Sequence, residues 1–315
     1  MRFRVFVEMV KAEAEKLAGN AYDIGTQEVL KNNGRVCVGL VMTRKGEKGA
    51  PVMYLEPYYE RAEAGELSAE DVARELLAAI AGLEKRAFSD VELDEFERVK
   101  GRIIYRLIDY KRNEDLLEDV PFLPYEDLAV VFCVFIRKDE KGLMSALIHT
   151  GHVNGWKTDV ATLYRLADKN TPRLFPPVVK SMEEIIREVS GSWPQEEKDG
   201  AWPEIVSETA SVSRQYVLTN QMAVYGATAI LYEGVLKQIA RALGSDLIIL
   251  PSSVHEVILV PYDDRMEPEE LGRMVREINM TEVSEEDVLS DQVYVYRREA
   301  GRVLNALTEK TRKVS

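Results

Sequence analysis

The stretch Ile248-Ile249-Leu250-Pro251-Ser252-Ser253-Val254-His255-Glu256-Val257-Ile258-Leu259-Val260-Pro261 constrains the fold more than any other part of this chain. Two β-branched apolar runs flank a short polar break, the pattern of a buried hairpin. Such runs are rarely left wet, so Ile248–Leu250 and Val257–Val260 are predicted to pair antiparallel inside a core. The break carries two hydroxyls, one of the chain's three histidines and a carboxylate. It is the densest cluster of reactive groups in the sequence.

Further hairpins surround it. Asn32-Asn33-Gly34 precedes the apolar run Val36–Met42, and Asn-Gly accepts the positive φ of a tight turn. Val52–Glu56 reads as a third strand. Leu128–Arg137 and Leu143–His149 form another hairpin across Asp139-Glu140-Lys141-Gly142. Tyr216–Leu218 and Val293–Tyr296 are short strands, the second read as the last. Helices separate these clusters. Phe3, Phe6, Met9 or Val10, Ala14 and Leu17 recur at helical spacing before Gly19. Ser68 with Asp71 outlines a capping box opening a helix with Val72, Leu76, Ile80 and Leu83 on one face. Thr158 reads as the cap of a helix that Asn170-Thr171-Pro172 ends. Ala227–Leu243 reads as one helix closed by Gly244. Pro268 suits the first turn of a helix carrying Leu271, Met274, Val275 and Ile278. The segment 93–112 fits helix, or helix plus strand. Strands in antiparallel hairpins, with amphipathic helices between the clusters, define an α+β fold.

The chain has 315 residues, long enough for two domains. Residues 1–120 are expected as an N-terminal α-β-β-β-α unit and 121–315 as a C-terminal α+β domain. Residues 188–207, with Gly, Pro and a charge run, are expected as a mobile surface loop. The formal net charge of −13 opposes a nucleic-acid face, because phosphate binding needs clustered Lys and Arg. The helix–strand–strand–strand–helix order invites comparison with double-stranded-RNA-binding domains. Yet Ser68-Ala69-Glu70-Asp71 stands where those domains place cations. Cys37 and Cys133 sit singly in apolar runs, which suits free thiols in a reducing cytoplasm. No signal peptide and no apolar run of membrane-spanning length is read, so no membrane association is expected.

A larger pattern emerges from Lys31-Asn32-Asn33-Gly34, Gly39-Leu40 and Tyr54-Leu55-Glu56-Pro57-Tyr58-Tyr59. It continues through Leu107-Ile108-Asp109-Tyr110, Asn113, Asp127 to Phe132, Asn170-Thr171-Pro172, Tyr216 to Asn220, the whole 248–261 segment and Leu289-Ser290-Asp291. With these residues the chain resembles a bacterial domain-of-unknown-function family, numbered 5688, over nearly its whole length. The sequence departs from the family pattern at Asp109 and Thr150, where the pattern carries Asn. The resemblance implies one conserved unit along the chain and no reaction.

Several residues could carry chemistry. Ser252, Ser253, His255 and Glu256 supply the residue types of a hydrolase, a serine activated by an imidazole that a carboxylate orients. Neighbours on a strand point to opposite faces, however, and Pro-Ser-Ser also serves as turn chemistry. His149 and His152, near Cys133, have the spacing of metal ligands. On an extended chain they fall on opposite faces, and two ligands do not make a site, so no metal is expected. No phosphate-cradling glycine motif occurs and no cofactor is expected. Trp193 and Trp202 could anchor a protein partner. Asn113, Asn170 and Asn220 are binding candidates if they converge in one cleft. The leading expectation is a cytosolic accessory or regulatory protein that acts by binding another protein. A hydrolase at the Pro-Ser-Ser hairpin is the alternative, and nucleic-acid binding by the N-terminal unit the third.

Overall fold

The computed structural model describes residues 1–45, 52–84, 93, 95–139, 142–189 and 215–309. Trp193, Trp202 and most of the expected loop 188–207 lie outside the described residues; Glu188 belongs to a helix, Met182–Val189. The chain is α+β, and every strand pair is antiparallel.

Two compact units are formed, Met1–Leu93 and Asp94–Ser315. The break therefore falls before the expected residue 120. The reason is pairing: Ile103–Asp109 hydrogen-bonds along its whole length to Leu128–Asp139, so residues 95–120 cannot leave the second unit.

In the first unit, strands β1 (Tyr22–Leu30), β2 (Val36–Arg44) and β3 (Val52–Tyr54) form a meander. Asn33 and Gly34 take positive φ, 59° and 73°, and turn β1 into β2. Gly39 faces Tyr54 across the sheet, where a Cβ would stand 2.1 Å from Val52 Cγ1. Helices Phe3–Ala18 and Ala69–Glu84 contribute Phe6, Val10, Ala14, Val72, Leu76 and Ile80 to the core shared with Leu40, Met42 and Leu55. Met9 and Leu17 are exposed instead, because Val7 and Val10 take the inward stripe. The capping box forms as read: Asp71 N donates to Ser68 Oγ at 3.2 Å and Ser68 N to Asp71 Oδ2 at 3.0 Å. An additional helix, Glu56–Glu63, starts on Glu56-Pro57-Tyr58-Tyr59, and Glu56 Oε1 accepts from Val38 N at 2.6 Å.

The second unit holds two sheets. One contains β4 (Ile103–Asp109), β5 (Phe122–Tyr125), β6 (Leu128–Asp139) and β7 (Gly142–Leu147), with the long β6 paired to the other three. The other runs β13-β12-β10-β11-β9-β8. Its strands are β8 (Pro177–Ser181), β9 (Tyr216–Asn220), β10 (Leu247–Pro251), β11 (Val257–Pro261), β12 (Tyr294–Arg297) and β13 (Arg302–Asn305). The predicted hairpin is its centre: Ile248 pairs with Val260 and Leu250 with Ile258, and β10 is buried throughout.

Several local expectations are corrected. Asp159, not Thr158, caps its helix, accepting from Thr162 N at 2.7 Å. Pro172 lies inside that helix, which runs to Leu174 and gives up one i→i−4 hydrogen bond at that position. Ala227–Leu243 is two pieces, a 3₁₀ stretch Gly226–Leu231 and a helix Val235–Leu243, split where Gly234 takes φ 79°. His149 and His152 stand on the first turn of a helix, Thr150–Trp156, with ring centroids 5.8 Å apart, rather than on opposite faces of a strand. The 293–296 strand is followed by another, β13.

Candidate functional site

β4 reads Ile-Ile-Tyr-Arg-Leu-Ile-Asp, a strand whose other six residues are all buried. A strand covered on both faces calls for a continuous apolar run, and Arg106 interrupts it. Its guanidinium lies over the Tyr225 ring, 4.7 Å from the centroid. No carboxylate among the described residues pairs with it, and Nε is shut off from solvent without a hydrogen-bond partner. Arg106 hydrogen-bonds the Tyr225 side chain and helps line a small cavity with Ile104, Cys133, Ser145, Phe175, Asn220 and Tyr225, among others. Burial pulls the Arg106 pKa down, but neighbouring Cys133 and Tyr225 outweigh it and the net shift is upward. Burial in turn pushes the Cys133 thiol up, so that side chain behaves as a small hydrophobe rather than a thiolate nucleophile.

Tyr225 is held in place by the Pro-Ser-Ser hairpin. Its backbone sits in the left-handed region at φ 52°, unusual for a bulky residue. Its N–H donates to His255 Nδ1 at 3.2 Å. Since Nδ1 accepts, the proton of the neutral ring resides on Nε2, which reaches Asp287 Oδ1 at 3.1 Å. Ser284 Oγ donates to the other oxygen of Asp287 at 2.6 Å. The His255 ring packs beside Tyr225, with centroids 5.8 Å apart. Ser253 Oγ accepts from His255 N at 3.0 Å, and Thr219 Oγ1 donates to His255 O at 2.8 Å. Gly226 follows where a Cβ would meet Thr219 Oγ1 at 2.1 Å and His255 O at 2.4 Å. Asn220 closes the same turn, giving Nδ2 to Val224 O and taking Met222 N, each at 2.9 Å.

The site residues read from the sequence thus go to different places. Ser253, His255 and Asn220 meet around Tyr225. The imidazole's two partners are the Tyr225 amide and Asp287, so neither ring nitrogen is presented to Ser252 or Ser253, and Glu256 is not the carboxylate on the ring. Asn170 Nδ2 binds Lys100 O at 2.8 Å and Ile103 O at 3.0 Å, anchoring the entry to β4. Asn113 Nδ2 binds Asp109 O at 2.7 Å, at the exit of the same strand.

Two residues escaped the sequence reading, Arg106 and Asp287. The first had a signal, a lone cation inside an apolar seven-residue run. Asp287 stands 32 residues from His255, with no local pattern that joins them.

A second polar knot lies at the β4 exit. Asp127 accepts from Ser290 Oγ at 2.8 Å and Tyr294 OH at 2.7 Å, and Asp291 pairs with Arg112 at 2.9 Å and Asn279 Nδ2 at 2.8 Å. Burial holds the Tyr294 hydroxyl far above its usual range, with the Asp127 charge adding to it. Each of these carboxylates already has donors, and among the described residues no group of three or more His, Cys, Asp or Glu is arranged to hold a metal ion. His149 Nδ1 pairs with Asp119 at 2.9 Å, and His152 Nδ1 accepts the His149 N–H at 3.0 Å, so both histidines serve their helix start.

No helix among the described residues is long and apolar enough to cross a membrane. Neither the curated proteins nor the solved structures contain a match to this chain. The model of a family of unknown function, DUF5688, matches residues 3–298, which takes in the Arg106 strand, the Tyr225 turn and the His255 hairpin alike. The chain belongs to the DUF5688 family.

Proposed function

We propose that the second unit binds a small anion against Arg106, and that the chain works as a ligand-binding protein. The observation that carries this reading is the buried Arg106, which lines a cavity and has no carboxylate partner among the described residues. An isolated buried charge is expensive, and a chain retains one where a partner of opposite sign completes it. The strained Tyr225 and the His255–Asp287 pair behind it support the same reading, since strain collects at binding sites. The hydrolase alternative lacks support from the hairpin, because an imidazole engaged on both nitrogens has no base to offer a serine. Binding to a protein partner would draw on Trp193 and Trp202, outside the described residues. The proposed compartment is the cytoplasm, in keeping with two buried free thiols, and the charge of −13 leaves nucleic acid out of the proposal.

The test is thermal unfolding of the full chain in sodium salts of graded anions at constant ionic strength. At least one anion should raise the unfolding temperature saturably, as mass action requires. Arg106→Gln should flatten that response. A flat response of the native chain to every anion refutes the proposal.

A further inference from the structure

We infer that the anion at Arg106 is the carboxylate of a short apolar monocarboxylic acid, in the range from acetate to butyrate. The inference rests on the anion-binding reading and assigns its chemical class. Charge comes first. Arg106 lines the cavity, and among the described residues no lysine, histidine or second arginine does. A dianion such as phosphate would leave a buried negative charge unmatched, whereas a monoanion is neutralised. Shape comes second. The planar fork of arginine matches the planar carboxylate, which it binds through parallel N–H groups.

The walls decide what the carboxylate is attached to. Ile104, Leu143, Phe175 and Val224 are apolar, and no aspartate or glutamate is present to receive an ammonium group. An amino acid would bring an unpaired cation, and a hydroxylated body would find the Tyr105 and Tyr232 hydroxyls already engaged with Asp168 at 3.4 Å and Phe175 O at 3.2 Å. The polar lining is largely committed already. Asn220 closes its own turn, and Thr171 Oγ1 donates to Ala167 O at 2.6 Å while accepting from Tyr105 N at 3.1 Å. Ser145 lines the cavity from β7, and among the described residues its hydroxyl has no hydrogen-bond partner, so it can donate to a carboxylate oxygen held by Arg106.

Size is the third constraint. As the side chains stand, the free space takes about one water, so the head group sits where that water would be. The tail has to press aside the turn carrying Val224, whose neighbours Ala223 and Tyr225 both hold positive φ. That turn is the strained part of the wall, and how far it yields sets the upper limit of the tail, placed here at butyrate.

The experiment is calorimetric titration of the full chain with sodium acetate, propionate, butyrate, phosphate and glycine at fixed ionic strength. Affinity should rise about fourfold per added methylene from acetate to butyrate, the increment expected of apolar burial. Glycine and phosphate should bind at least roughly tenfold more weakly than propionate. Arg106→Gln should weaken propionate at least roughly tenfold, and Ser145→Ala roughly threefold or more. Tightest binding of phosphate, or affinity indifferent to tail length, overturns the class and leaves the anion site standing. Failure of every anion to bind removes the site and the class together. If Arg106→Gln does not fold, the tail series on the native chain and Ser145→Ala decide the matter, and a flat result in both overturns the inference.

Discussion

Two arginines in the second unit make a paired experiment, because the same substitution should move stability in opposite directions. Arg106 has no carboxylate partner among the described residues; Tyr225 compensates it through its ring, 4.7 Å from the guanidinium and worth about 0.5–2 kcal/mol, and through a side-chain hydrogen bond. Against these contacts stands the desolvation of an unpaired charge, several kcal/mol even after relaxation. Methionine has a similar flexible stem and fills the same space without the charge. Arg106→Met should therefore stabilise the ligand-free chain by roughly 1–3 kcal/mol. Arg297 also lies on an aromatic ring, Tyr262 at 4.3 Å, but its Nε donates to Glu309 Oε1 at 2.7 Å and its Nη1 to Asp246 Oδ2 at 3.1 Å. Removing it takes the guanidinium from both carboxylates while Asp246 keeps the Arg298 N–H at 3.0 Å, and Arg297→Met should cost roughly 2–4 kcal/mol. Trp156, Trp193 and Trp202 all belong to the second unit, so intrinsic fluorescence during urea unfolding reports on that unit alone. An Arg106→Met chain that loses more than about 1 kcal/mol would mean the guanidinium is a structural element, and the ligand-binding reading would fall with it.

Three further outcomes follow from the geometry. Burial raises the Asp109 carboxyl, the Arg112 amide and charge oppose it, and Asp127 and Asp291 push it further up. The folded chain thus holds this proton more tightly than the unfolded chain, so the group favours folding at low pH and loses that contribution as pH rises through its folded value. Asp109→Asn should raise the urea midpoint near pH 7, with the gain gone below about pH 4; equal gains at both pH values would contradict the sign. Gly226→Ala should cost more than roughly 3 kcal/mol, because the new Cβ meets Thr219 Oγ1 at 2.1 Å and the His255 carbonyl at 2.4 Å; a melting temperature near that of the native chain would show the turn is soft. His255→Ala and Asp287→Ala should each cost about 1–3 kcal/mol, and the double variant less than their sum, since both remove one Nε2–Asp287 bond. Strict additivity would mean the pair does not act as a unit.

The elements most readable in the sequence are those where local chemistry and tertiary packing agree. Asn33-Gly34 takes the positive φ its side chains permit, and Ser68 with Asp71 caps the helix they announce. The β10–β11 hairpin is buried as its β-branched runs require. Where a tertiary partner intervenes, local reading misses. Pro172 stays helical in a helix whose Thr171 is bonded to the Tyr105 amide of β4. The run Ala227–Leu243 has helical composition throughout, yet a bend at Gly234 splits it. The candidate site shows the same division. Ser253, His255 and Asn220 were singled out for their chemistry, and they do converge, but on a backbone amide rather than on a cleft. Asp287 lies 32 residues from His255, a separation no local pattern reveals.

The six-stranded sheet consists of three hairpins laid edge to edge, β8–β9, β10–β11 and β12–β13, joined through β9–β11 and β10–β12. Two of the hairpins close short loops, whereas β8 and β9 pair residues 35 to 43 positions apart, and β10 meets β12 across 45 to 49. Loop-closure entropy grows slowly with such separations, so β9 and β12 are expected to dock after the local hairpins have formed. Tyr225 follows directly after β9, while Arg106 lies on β4, in a sheet built from sequence-local strands. The cation is therefore set in place early and its aromatic cover arrives late. An anion between them would tie an early-formed part of the unit to a late-formed one, and would make occupancy a report on whether the chain has finished folding.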